Sequence, residues 1–153
     1  MALARSSTEA DKTGSAPPSH WRWAMLAGVW LLYFSFGLTV ASLAPVVYQV
    51  EKDLGLDHAS MGTILGAWPL IYIASSAPCG ALLDKYGPKR MLFIAILLIS
   101  ASGALRGISE YYIELFLSVV IFGIGGPLIS SGAPKVISIW FSGQNRGLAI
   151  GIY

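Results

Sequence analysis

Residues 80–90 read GALLDKYGPKR, a glycine, an aspartate, a second glycine and three basic residues set between two long apolar runs. Gly87 suits a tight turn that needs positive φ, and Pro88 fixes the exit from it. Asp84 follows the C-terminal end of the preceding run, where a helix already presents partial negative charge, so its carboxylate calls for a partner elsewhere. Lys85, Lys89 and Arg90 hold the turn at a charged surface. Gly80, one turn before Asp84, would let another helix approach closely. Spacing alone leaves two readings open: an ordinary basic hairpin between two spans, or a connector with a task of its own.

The runs on either side decide the class. The chain has 153 residues, of which 55% are hydrophobic and only 12% charged, against roughly 25% charged in soluble domains. Its charges are clustered, leaving uncharged stretches near or above the ~18–20 residues of a membrane-spanning helix. This pattern predicts an all-α integral membrane protein whose first partner is the lipid bilayer. Spans are expected within 23–50, with Pro45 as a kink or an end, within 59–83, from Met91 to about Leu105, and from Tyr112 to about Val136. Pro69, Pro78, Pro127 and Pro134 fall inside these runs, which is tolerated where neighbours satisfy the freed carbonyls. After Arg146 only seven residues remain, GLAIGIY. They read as the start of a fifth span, and 21–153 as an incomplete bundle.

Loop charge gives the expected orientation. The connectors 51–58 and 107–111 hold four acids and a single Lys52. Arg5, Lys12, Arg22, Lys85, Lys89, Arg90, Lys135 and Arg146 all fall on the other side. The positive-inside rule then places the N-terminus and the 84–90 turn in the cytoplasm of a cell membrane, inner or plasma. Residues 1–20 are polar, without apolar period, and read as a disordered cytoplasmic tail. The formal net charge of +2 is too small to argue for nucleic acid. The lone Cys79 permits no internal disulfide, and His20 and His58 flank spans singly, so no metal or cofactor is expected. No nucleophile, base and acid set presents itself, so no enzyme is expected either.

GALLDKYGPKR resembles the signature loop of the major facilitator superfamily, with Gly80, Asp84, Lys85, Gly87, Lys89 and Arg90 at its six positions. WFSGQNRGLAIG (140–151) is similar to that family's connection from helix 4 to helix 5. The resemblance implies helices 1–4 and the start of helix 5 of a twelve-helix fold in two halves, which open a central site alternately to each side. The missing C-terminal half would then be a partner. Asp84 would latch the halves by gripping the N-terminal end of a helix in the other half, with Arg146 as a further contact. The function implied is secondary active transport of a small molecule. The alternative is a self-contained four-span exporter or scaffold, or a truncated product without transport activity.

Arg106 bears on the substrate. It lies about 22 Å along the third span, counted from Met91, and an intramembrane arginine is a candidate for binding an anion. The competing reading is a side chain reaching the outer interface and pairing with Glu110 at i+4. Arginine at this place, with the 140–151 sequence, leans toward the cyanate/nitroimidazole or organic-anion branches of the superfamily. Trp68, Tyr72 and Tyr33 fall inside spans and are candidates for a cavity wall, with packing as the plainer role. Gly62/Gly66, Gly103/Gly107 and Gly147/Gly151 match the small-xxx-small pattern of helix contacts. GIGGP (123–127) lacks the Lys-Ser/Thr of a phosphate loop and lies mid-span.

Overall fold

The computed structural model describes residues 19–141 and 144–152. Six α-helices follow in order: α1 (Ser19–Ala41), α2 (Val47–Leu54), α3 (His58–Tyr86), α4 (Pro88–Ile108), α5 (Tyr112–Trp140) and α6 (Gln144–Ile152). Four stretches are long and apolar enough to cross a membrane: 21–54, 58–86, 88–108 and 112–140. The chain is an all-α, multi-pass membrane protein. At 29 residues each, α3 and α5 are about 43 Å long, more than the ~30 Å hydrocarbon core.

The boundaries correct or sharpen the sequence reading in four places. Most of the expected tail lies outside the described residues, and its last two residues, 19 and 20, already belong to α1. Of the two readings open at Pro45, a kink or an end, the helix ends. It stops at Ala41, and Pro45 sits in a short 3-10 turn, Ala44–Val46, because proline cannot donate to the preceding turn. The acidic connector 51–58 is helical through Leu54, as α2. The later spans begin at Pro88 rather than Met91 and run to Trp140 rather than Val136.

Each turn ends its helix for a local reason. Gly55 (φ 62°) closes α2 with its N–H on the Glu51 carbonyl, and Gly87 (φ 81°) closes α3 with its N–H on the Leu83 carbonyl. Both angles are left-handed and cheap only for glycine. Asp57 caps α3, accepting the Ser60 N–H at 3.0 Å. Pro88 follows Gly87 at the start of α4, where a missing N–H costs nothing.

α5 is the central helix, packed along its length against α3 and α4. One apolar cluster joins Leu115 and Val119 to Met61, Ile64 and Ala67. A second joins Phe122, Leu128 and Ile129 to Cys79, Leu83, Met91, Ala95 and Ile99. A third joins Ala133 and Ile137 to Leu26 and Val29 of α1. The Ser102 hydroxyl, fully buried, donates to the Ser118 carbonyl at 2.7 Å and ties α4 to α5. Glycines make the closeness possible, but not those the pair pattern picked out. A Cβ at Gly62, Gly66, Gly80, Gly103, Gly107, Gly147 or Gly151 would meet nothing within 4 Å among the described residues. On Gly123 it would lie 2.8 Å from Ile71 Cβ and 3.0 Å from the Trp68 carbonyl, and on Gly126 2.7 Å from the Tyr72 ring.

Gly123→Ala therefore forces α3 from α5 and should lower stability by about 1–3 kcal/mol, the usual cost of overpacking. Gly62→Ala meets only open space and should be neutral or stabilising by up to about 1 kcal/mol. Denaturant unfolding of both variants in detergent micelles checks the contrast.

Candidate functional site

The 80–90 connector is built at one end of the bundle. Asp84 stands in the last turn of α3, and the Lys135 ammonium of α5 donates to its Oδ1. That cation offsets the unfavourable meeting of a carboxylate with the negative end of a helix. The bond spans 51 residues of sequence and fixes α3 to α5 beside Pro134. Lys85 stacks over the Tyr86 ring, 5.3 Å from its centre. Lys89 and Arg90 open α4, exposed. Gly80 is half-buried. Arg146 is exposed on α6 and forms no ion pair among the described residues. The sequence reading treated Lys135 only as a loop charge. Its signal was a lysine inside an otherwise uncharged run of α5.

Arg106 begins a second group, deeper in the bundle. The pairing with Glu110 that the competing reading offered does not form. Glu110 instead donates its backbone N–H to the Glu114 carboxylate at 2.9 Å. The guanidinium turns inward. Its Nη1 donates to the Thr39 carbonyl at 2.8 Å and the Ser42 hydroxyl at 3.3 Å, and its plane lies 5.1 Å from the centre of Phe122. The cause is the break at Pro45. The last carbonyls of α1 have no helical partner, and a cation is drawn to that negative end. The Arg106 Nε is buried and has no hydrogen-bond partner among the described residues.

From Phe122 the other candidates connect. Phe122 stacks on Phe36 at 5.1 Å and meets Trp68 edge-on at 6.2 Å, and Trp68 meets Tyr72 edge-on at 6.2 Å. The Tyr72 hydroxyl bonds to the Ser130 hydroxyl at 2.7 Å, while Tyr33 donates to the Ser130 carbonyl at 3.5 Å. Arg106, Trp68, Tyr72 and Tyr33, from four places in the sequence, thus share one column along α5. Phe36, Phe122 and Ser130 complete it and were missed, since no local pattern marks them. The arrangement offers one cation, a row of aromatic faces and a cluster of three hydroxyls. A cavity of about 540 Å³ opens beside Arg106, walled by α2 and the facing ends of α4 and α5.

Comparison with known proteins gives a consistent picture. Residues 29–153 match the family model described as Major Facilitator Superfamily. A probable galactarate/D-glucarate transporter of Escherichia coli (strain K12) is 29% identical over 119 residues, covering 74% of this chain and 26% of the relative. A probable L-galactonate transporter of the same organism is 30% identical over 113 residues, covering 74% and 25%. A nitrate/nitrite transporter of Picosynechococcus sp. (strain ATCC 27264 / PCC 7002 / PR-6) is 27% identical over 136 residues, covering 86% and 24%. The chain spans about a quarter of the length of these relatives.

The Asp84–Lys135 bond is open to water, with the side chains 73% and 40% exposed. A double-mutant cycle with Asp84→Asn and Lys135→Gln, followed by unfolding in micelles, should give a coupling of only about 0.2–1 kcal/mol.

Proposed function

The chain belongs to the major facilitator superfamily, and from that premise we propose that it forms the N-terminal part of a secondary active transporter for a small organic anion, working by alternating access. The observation that carries this reading is the column on α5. A guanidinium held between spans with an unused Nε is an anion-binding group that lipid-facing packing does not need. The hydroxyls of Tyr33, Tyr72 and Ser130 lie about 12 Å further along α5. They suit a hydroxylated acid, of the kind named for the galactarate/D-glucarate and L-galactonate transporters it is similar to. With that separation, Arg106 meets the carboxylate first and the hydroxyl cluster meets the substrate deeper in the bundle.

The connector supplies the conformational part. Gly80, Asp84, Lys85, Gly87, Lys89 and Arg90 act as a latch on the cytoplasmic side, where the basic loops place them. Asp84 holds a helix N-terminus in the second half of the transporter, and Lys135 steadies that carboxylate from within this half. Arg146 adds a contact from α6.

In the full-length transporter, Arg106→Ala should lower uptake of small hydroxy acids at least about tenfold, the loss of roughly one charge-assisted hydrogen bond. Arg106→Lys should keep part of it. Full uptake by a correctly inserted alanine variant overturns the substrate role. Separately, Asp84→Asn should shift labelling of a reporter cysteine from one side of the membrane to the other, and an unchanged labelling pattern removes the latch.

A further inference from the structure

At the end of the bundle opposite the connector, α2 lies between two breaks, the turn at Pro45 and the left-handed Gly55. Its Val47, Val50 and Leu54 pack over Met61, Ile64, Leu115 and Val119. Glu51 stands on the same stripe and is buried, at 9% exposure. A carboxylate shut among apolar side chains is costly unless paired. The side-chain partner it has among the described residues is His58 Nδ1, at 2.7 Å. That imidazole is 91% exposed. A buried carboxylate is therefore held by an imidazole that the described residues leave almost uncovered.

We propose that the Glu51–His58 bond is a proton-operated clasp that seats α2 as a movable wall of the cavity beside Arg106. α2 contributes Val50, Asp53 and Leu54 to that cavity. When His58 carries a proton, the bond joins opposite charges and the buried carboxylate is compensated. When His58 is neutral, one uncharged N–H can still donate, but the bond no longer joins opposite charges and the seat weakens. α2 then lifts about the two breaks that flank it. Imidazoles change charge near pH 6.5, so the clasp is firm in mild acid and loosens toward alkaline pH.

One surrounding charge, Asp57, also acts through space on the His58 imidazole. On α2, Asp53 is engaged by the Gln49 amide, and Lys52 forms no ion pair among the described residues. On the connector, the Ser60 hydrogen bonds hold the Asp57 carboxyl below the usual carboxylate range, so it stays ionised throughout. From α4, Arg106 is committed to Thr39 and Ser42, and Glu110 binds through its N–H to Glu114 of α5. None of them bonds to Glu51 or His58.

The inference concerns access to the cavity and does not depend on which substrate is carried, so its test reads labelling rather than uptake. In the full-length transporter with Cys79→Ala, maleimide labelling of Leu54→Cys on the packed face of α2 is divided by that of Tyr48→Cys. Tyr48 is 76% exposed and corrects for the pH dependence of thiol chemistry. The ratio should rise severalfold between about pH 5.5 and about pH 8, on either side of the imidazole range. It should be flat with pH in both the His58→Gln and the Glu51→Gln backgrounds. A flat ratio in the parent, or a pH-dependent ratio that survives either substitution, overturns the clasp.

Discussion

Hydrocarbon neither donates nor accepts a hydrogen bond, so every backbone group freed by a break in a spanning helix must be met from within the bundle. The Arg106 contact with the Thr39 carbonyl is the strongest instance of that constraint here. Pro45 ends α1 early, and the freed Thr39 carbonyl is met by the Ser42 hydroxyl and by a cation from α4. That single bond sets α1 against α4, carries the guanidinium over Phe122 and leaves the space beside it that α2 then walls. Elsewhere the same demand is met by smaller means: Gly55 and Gly87 fold their N–H groups back onto the helices they end, and Ser102 reaches across to the Ser118 carbonyl.

What could be read from the sequence follows from how local each cause is. The turn at Gly87 was legible because left-handed backbone, a following proline and a charged rim all fall within a few residues. The long spans were legible as uncharged runs. α2 was not, since an eight-residue amphipathic helix that holds Gln49, Glu51, Lys52 and Asp53 looks like a loop until the surface it docks on is known. The Glu110 partner assigned to Arg106 obeyed helix spacing, but a free helix end reached through the third dimension outweighs an exposed neighbour at i+4. Lys135 and Ser130 matter through partners 51 and 58 residues away, and such register is set by packing alone. The glycine pairs failed for a related reason: spacing marks where a helix could be approached closely, not where one is. Of the glycines that do admit a neighbour, Gly123, Gly125 and Gly126 lie in GIGGP, a stretch conspicuous in sequence for a motif it does not form, and Gly132 lies five residues beyond it.

α5 gives the two functional groups a common frame. Lys135 ties its one end to Asp84, Ser130 and Phe122 hold the column at its middle, and Leu115 closes the packing under α2 at its other end. The connector and the aromatic column are thus joined through one helix, which carries Pro127 and Pro134 between its ends.

The contact between Gly126 and the Tyr72 ring has a consequence for how such a protein can change. With the ring already 2.7 Å from where a methyl would sit, positions 72 and 126 divide a fixed volume between them. Enlarging one demands trimming the other in the same step, so change at this depth of the bundle would proceed through compensating exchanges rather than single replacements.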